Sequence, residues 1–282
     1  MQLPDPETHR GPATLLRHPP RAAVIVAPDV AKTVFITGAS SGIGRALSLE
    51  FAGRGHDLFL TARRLDALEQ VKAEIARAHP ERRVEVRRLD VNDDADVAAA
   101  LDEAAKRLGR VDIVIANAGM GASPRVGSGK FERNRAIVET NLIGGMATVD
   151  AAVALFRRQG GPGQVVGISS LSGVRGLPGS ASYSASKAGF TVYLEAVRAE
   201  TWSEPITVTT IAPGYIDTAI NRDLPNRPFL IDAEQGARQT ADLIERQVSY
   251  APVPRFPWIL IKPLLRVVPN SVMAKTTPKR PE

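Results

Sequence analysis

The chain has 282 residues, 44% hydrophobic and 23% charged, ordinary values for a globular protein of one large α/β domain or two small ones. It has no cysteine, which excludes disulfides, cysteine-ligated zinc and thiol nucleophiles; its four histidines (His9, His18, His56 and His79) show no ligand spacing, so no metal site is expected. Of the formal net charge of +6, five units lie in residues 255–282, where Arg255, Lys262, Arg266, Lys275, Lys279 and Arg280 are opposed by Glu282 alone, so the charge belongs to the tail and gives no sign of a basic nucleic-acid surface on the body; no nucleic-acid partner is expected.

Residues 1–31 hold Pro4, Pro6, Pro12, Pro19, Pro20 and Pro28 without a sustained period, and read as a mobile extension outside the fold. The apolar run Ala22–Ala27 is too short for a secretory signal, and no run approaches the ~20 apolar residues that span a bilayer, so a cytoplasmic location is expected. From Lys32 onward, strand and helix patterns alternate. Thr33–Ile36 reads as a buried strand, followed by a glycine-rich turn over Thr37–Gly44 and a helix over Arg45–Ala52. A second strand, Asp57–Thr61, precedes a helix over Leu65–Ala78 with Leu65, Leu68, Val71 and Ile75 at helical spacing. Val84–Leu89 is the third strand and Asp94–Leu108, stopped by Gly109, the next helix. Val111–Ala116 is the fourth strand, Phe131–Arg158 a long helix, and Gln164–Ile168 the fifth strand. Helix Ser182–Trp202, strand Ile206–Ile211 and helix Asp232–Ser249 follow, with Tyr250–Pro254 an edge strand at best because of its two prolines.

This alternation predicts one domain over 32–254: a doubly wound parallel sheet of the Rossmann type, helices on both faces, ligands at the carboxyl ends of the strands. Residues 255–282 read as a basic tail interrupted by Pro257, Pro263 and Pro269. Its apolar stretches, Trp258–Ile261 and Leu264-Leu265, interleaved with Lys262 and Arg266, suit either an anionic membrane surface or the body or a neighbouring subunit, and the prolines favour the second.

The turn Thr37-Gly38-Ala39-Ser40-Ser41-Gly42-Ile43-Gly44 carries the first chemistry. Passing from strand to helix through glycines, it offers unpaired N–H groups and the positive end of a helix dipole to an anion, with no Cβ to hold a pyrophosphate away. Its spacing, T-G-x-x-x-G-x-G, resembles the short-chain dehydrogenase/reductase family. Further matches stand at the ends of predicted strands: Leu89-Asp90-Val91, Asn117-Ala118-Gly119, Ser169-Ser170 with Tyr183-Ser184-Ala185-Ser186-Lys187, and Ala212-Pro213-Gly214-Tyr215-Ile216-Asp217-Thr218. Asn141, in the long fourth helix, matches the family's active-site asparagine. The resemblance covers roughly residues 32–231.

That resemblance implies a carbonyl–alcohol oxidoreductase. Gly38, Ser40, Ser41, Gly42, Ile43 and Gly44 would cradle a nicotinamide dinucleotide; Asp90 and Val91 would flank its adenine; Asn117, Ala118 and Gly119 would let it lie close. Pro213, Gly214, Ile216 and Thr218 would close over the nicotinamide. Ser170 would bind the substrate oxygen, Tyr183 exchange its proton, Lys187 bind the nicotinamide ribose, and Asn141 hold a water leading to Lys187. Tyr183 and Lys187, four residues apart on one helix face, can reach one pocket, where an ammonium is expected to lower the phenol pKa. Ser169 competes with Ser170 for the serine role, and the family spacing favours Ser170.

Cofactor choice rests on the end of the second strand, Thr61-Ala62-Arg63-Arg64. Ala62 stands where an NAD-preferring relative carries an acid for the adenosine ribose, and Arg63, supported by Arg64, suits a 2′-phosphate, so NADP(H) is expected over NAD(H). By resemblance, the helices at 131–158 and 182–202 pair with their copies in a homodimer or homotetramer, close approach being allowed by Gly144-Gly145-Met146-Ala147. The substrate is a small carbonyl or alcohol, and Leu224 and Phe229 in the lid at Ala219–Ile231, beside Arg222 and Arg227, suggest an apolar one. The alternative of another class is a catalytically idle nucleotide-binding sensor or assembly protein on the same fold.

Overall fold

The computed structural model describes residues 31–275 apart from Ala122, Asp223 and Pro225. The extension expected over 1–31 therefore lies, except for Ala31, outside the described residues, as does the end of the tail, 276–282. The strands are β1 (Thr33–Thr37), β2 (Asp57–Ala62), β3 (Val84–Arg88), β4 (Ile113–Ala116), β5 (Gly163–Ile168), β6 (Ile206–Pro213) and β7 (Tyr250–Val253). All pair in parallel in the order β3-β2-β1-β4-β5-β6-β7. The sequence runs from β1 outward to β3, then returns to the far side of β1 with β4, so the order reverses between these two strands. Such a reversal opens a crevice at the carboxyl ends.

Buried alternation builds two cores, because successive side chains of a strand face opposite ways. Val34, Ile36, Ile113 and Ile115 pack against α1 (Gly42–Gly53), α2 (Leu65–Ala78) and α7 (Ala233–Glu245). Phe35, Phe59 and Val114 pack on the other face against α3 (Asp94–Leu108), α5 (Gly144–Gln159) and α6 (Ala181–Glu200). Phe35 and Phe59 stack with centroids 5.5 Å apart, tying β1 to β2 beneath the crevice.

The long helix expected over Phe131–Arg158 is divided: α4 (Phe131–Val138), a π-helical turn (Glu139–Ile143) and α5. The turn adds a residue to one helical circuit and places Thr140 and Asn141 inward, both buried. By length and hydropathy the whole stretch Phe131–Gln159 would cross a bilayer, but half of its most apolar window is buried within the domain. Pro252 sits within β7, where an edge position tolerates the missing N–H.

The tail departs most from a linear reading. Prolines were expected to deny it a long helix, yet Arg255–Val267 forms α8 and Asn270–Ala274 a short α9. Phe256 has extended backbone (φ −104°, ψ 138°), so Pro257 opens the regular helix, where no N–H is required, and Pro263 removes a single bond. Trp258, 7% exposed, packs with Leu171 and Ala212 and meets the Phe229 ring edge-on at 5.4 Å. The Arg175 guanidinium donates to the Leu265 carbonyl at 2.9 Å, the Arg266 carbonyl at 3.3 Å and Asn270 Oδ1 at 2.6 Å, satisfying the C-terminal end of α8.

Trp258 should therefore behave as a core residue. Trp258→Ala is expected to reduce unfolding free energy by up to about 3–5 kcal/mol, read from urea denaturation. Trp258→Phe should cost under about 1.5 kcal/mol, because most of the ring contact survives and an indole N–H without a partner among the described residues is removed. An unchanged midpoint for Trp258→Ala would show that α8 is not docked.

Candidate active site

The crevice begins where β1 ends. Gly38 turns the chain at φ +68°, and a Cβ there would come within 2.8 Å of Ala118 Cα. At Gly44 a Cβ would meet Asn117 Nδ2 at 2.5 Å and collide with the Gly38 carbonyl. These two glycines let the loop, α1 and the end of β4 close on one another. Thr37 Oγ1 accepts from the N–H groups of Asn117 (3.0 Å) and Ala118 (3.1 Å), and Asn117 Nδ2 donates to the Thr37 carbonyl at 2.8 Å. Ser41 caps α1 with extended backbone and no side-chain hydrogen bond, and the first turn carries no acid. Its N–H groups are thus left for an anion.

A cleft of about 280 Å³ lies over this loop. It is lined by Gly38, Ser40, Ser41, Gly42 and Ile43, by Arg63 and Arg64, by Asp90 and Val91, and by Asn117, Ala118 and Gly119. Ser170, Tyr183 and Lys187 line it too, with Pro213, Gly214, Ile216 and Thr218. Of the residues singled out from the sequence, Gly44 and Asn141 stand behind the wall. The segment after β6 crosses above the glycine loop: a Cβ on Gly42 would lie 3.5 Å from Thr218 Cγ2. Asn221 Nδ2 donates to the Ile216 carbonyl at 2.8 Å, which ties this segment to the residues that follow it.

The two serines after β5 separate cleanly. Ser169 Oγ donates to the Lys187 carbonyl at 3.0 Å and shares a 2.6 Å hydrogen bond with Thr191 Oγ1, which engages it in holding α6. Ser170 Oγ accepts from the Ser172 N–H at 3.1 Å and donates to the Pro213 carbonyl at 3.4 Å, and it is near enough to the Tyr183 phenol to favour the ionised form. The tight turn after Ser170 lies against α6 through Gly173, where a Cβ would be 2.8 Å from the Lys187 carbonyl oxygen.

Lys187 is 4% exposed, and its Nζ donates to the Ile168 carbonyl at 2.8 Å. The same Nζ stands 6.0 Å from the Tyr183 ring centroid. Burial disfavours the ammonium and draws its pKa from 10.5 to about 8. Burial also raises the Tyr183 phenol, opposed by Ser170. Desolvation thus acts on both groups here, and the lowered phenol pKa expected from the ammonium together with an oxidised nicotinamide is an expectation for the cofactor complex.

Asn141 sits in the π-helical turn. Its Oδ1 accepts from the Met120 N–H at 2.6 Å, and its Nδ2 donates to the Met120 carbonyl at 2.9 Å and to Ser186 Oγ at 3.2 Å. The amide thus clamps the strand-four loop to α6 and has no direct bond to Lys187. Ser123 was not foreseen. Its Oγ accepts from the Tyr183 N–H at 3.0 Å and from Ser182 Oγ at 2.9 Å, so a distant loop caps the start of α6. Nothing in Gly121-Ala122-Ser123-Pro124 signals this, because the acceptor lies 60 residues from its donor.

Arg63 and Arg64 are exposed at the cleft rim, and Arg64 Nη2 lies 3.4 Å from Ser40 Oγ. Neither forms an ion pair among the described residues. In the lid, Arg227 is paired with Asp217 at 2.7 Å. Phe229 packs on Trp258, and among the described lid residues Ala219, Ile220 and Asn221 reach the cleft.

A parallel sheet reversing at β1, a glycine cradle and a Ser–Tyr–Lys cluster in the cleft wall define a nucleotide-binding α/β oxidoreductase. The profile of the short chain dehydrogenase family matches residues 32–228, and the chain belongs to that family. It is 40% identical over 237 residues to an uncharacterized oxidoreductase of Mycobacterium tuberculosis, covering 84% of this chain and 93% of the relative. Among solved structures it resembles an alcohol dehydrogenase of Thermococcus sibiricus complexed with 5-hydroxy-NADP (27% identity, TM-score 0.71, 79% of this chain and 95% of that one). A short chain dehydrogenase of Mycobacterium paratuberculosis bound to NAD is similar at 26% identity and TM-score 0.71, over 79% of this chain and 96% of that one.

The buried lysine has a measurable consequence. Its folded pKa of about 8 lies below the 10.5 of an exposed lysine, so the unfolded chain binds more protons between these values. Its contribution to stability accordingly rises with pH across that window, and below it the charged, buried group costs about 3 kcal/mol at 1.36 kcal/mol per unit. In cofactor-free protein, Lys187→Met should be favourable relative to wild type at pH 7, with the difference shrinking as pH approaches 10. Parallel denaturation curves across that range would reveal a constant difference if Lys187 were not desolvated.

Proposed function

We propose that this protein interconverts a carbonyl and an alcohol using NADP(H), with Tyr183 as general acid and base. The observation that carries the reading is the Ser170–Tyr183–Lys187 cluster in the wall of a cleft that also contains the glycine cradle. A bound nicotinamide would supply or accept hydride at the carbonyl carbon. In the reductive direction Tyr183, its proton retained by burial, donates it to the substrate oxygen. Ser170 Oγ hydrogen-bonds the same oxygen and stabilises the charge developing there. Lys187 offers two ammonium protons beyond the one held by Ile168, which suit ribose hydroxyls. Asn141 positions the Met120 loop and α6. Its proposed further task is to hold a water on the proton route to Lys187.

The cradle fits a dinucleotide: Gly38 and Gly44 leave no room for a Cβ, and α1 begins without a side-chain cap. Asp90 and Val91 would flank the adenine, and Arg63 with Arg64 would bind the 2′-phosphate. The absence of a carboxylate partner on either arginine among the described residues supports this choice. Met120 and Ile220 in the cleft wall suit an apolar substrate. Exposed Ile143 and Val192, on the helical stretches expected to pair with their copies, support a homo-oligomer.

Tyr183→Phe is expected to fold and bind cofactor but lose roughly 10²–10⁴ in kcat. Near-wild-type turnover of a confirmed carbonyl substrate by that variant would remove Tyr183 from the chemistry. Calorimetric titration tests the cofactor separately. A charge-assisted hydrogen bond contributes ~1.5–3 kcal/mol, so NADPH should bind at least about tenfold more tightly than NADH. Arg63→Ala should erase most of that difference and barely change NADH binding; a variant that keeps the preference would refute the assignment.

A further inference from the structure

The outer face of α8 is apolar and uncovered among the described residues. Phe256, Leu260, Leu264 and Val267 are 59–75% exposed, and Ile259 beside them is 44% exposed. Leu260, Leu264 and Val267 stand at i, i+4 and i+7, one stripe along the helix, while Trp258 and Ile261 turn inward. The stripe is a ridge on the surface rather than the floor of a groove.

Its charge names the partner. No acidic residue occurs between Arg255 and Lys275, and Arg255, Arg266 and Lys275 are exposed. Lys262 is partly withdrawn over the Tyr250 ring, 3.5 Å from its centroid, and Arg175 is held by α8 carbonyls and Asn270. A second copy of the helix would bring Arg255 and Arg266 toward like charges, with no carboxylate on α8 to receive them. An apolar stripe on a helix whose own charged residues are all cations is complementary to a bilayer with anionic headgroups.

We propose that α8 docks on an anionic membrane surface, with Leu260, Leu264 and Val267 in the interface and Arg255, Arg266 and Lys275 against the headgroups. Through Trp258 the same helix holds Phe229, so the docked helix and the lid form one packed unit. The inference is independent of the reaction proposed above.

Co-sedimentation of the full chain with phosphatidylcholine vesicles, with and without phosphatidylserine, tests it, alongside light scattering of the protein alone. Wild type should bind the phosphatidylserine vesicles at low salt and release them at high salt. Leu260→Glu/Leu264→Glu, at exposed positions, should melt as wild type does yet partition at least about tenfold more weakly. Arg255→Gln and Arg266→Gln should each weaken binding by up to about fivefold. Three results would each overturn the proposal: no binding to phosphatidylserine vesicles, unchanged binding of the double leucine variant, or a wild-type oligomer that the double variant dissociates while wild type ignores vesicles. The last would assign the stripe to a second copy.

Discussion

At the carboxyl ends of β1 and β4 the two strands lose each other as ladder partners, and side chains take over the pairing. Thr37 Oγ1 receives two backbone N–H groups from the β4 end, and Asn117 Nδ2 returns bonds to the carbonyls of Thr37 and Gly38 at 2.8 and 3.3 Å. Thr37 is buried and Asn117 and Ala118 are half-buried, so these bonds satisfy backbone groups that the ladder no longer pairs. The crevice exists because the backbone is held apart here without loss of hydrogen bonding. The glycine cradle, the floor of the cleft and the start of α1 all take their positions from this junction.

Across the cleft a second constraint operates, the desolvation of ionisable groups. α6 can bring Tyr183 and Lys187 to the cleft only by lying against the turn after Ser170, and Gly173 permits that approach. The resulting site withdraws an ammonium from water and gives it one carbonyl in return. A lysine so placed moves toward neutrality, and a phenol so placed keeps its proton. Ser123 and Asn141 fix the helix and loop that hold these groups, so the unfavourable burial is confined to a rigid wall.

The third region, α8, joins the catalytic wall to the surface. Trp258 lies against Gly214, where a Cβ would meet its Nε1 at 2.6 Å, and against the lid at Phe229. The segment after β6 is thereby pressed between the cleft and a helix from the end of the domain. One side of α8 is packed through Trp258 and Ile261; what remains on the other is apolar with exposed cations at its ends. One helix therefore presents two surfaces with different chemical demands.

The elements that depend on neighbours in sequence were legible in the sequence itself. The apolar runs of β1 and β2, the three glycines of the turn, and the one-turn spacing of Tyr183 and Lys187 are local, since strand pleat and helix pitch follow from a few adjacent residues. Ala62 followed by Arg63 likewise reads directly as a strand end lacking an acid. Only the tertiary structure decided which of Ser169 and Ser170 faces Tyr183, because both occupy the same strand end and their partners come from elsewhere. The same holds for Ser123 capping α6, for Asn141 entering a π-helical turn, and for the direction of the Tyr183 pKa. It holds most of all for α8: its prolines argue locally against a helix, and the energy that forms it comes from burying Trp258 against residues more than forty positions earlier in the chain. Propensity is a sum over near neighbours, whereas burial and desolvation are set by whichever distant segments the fold brings together.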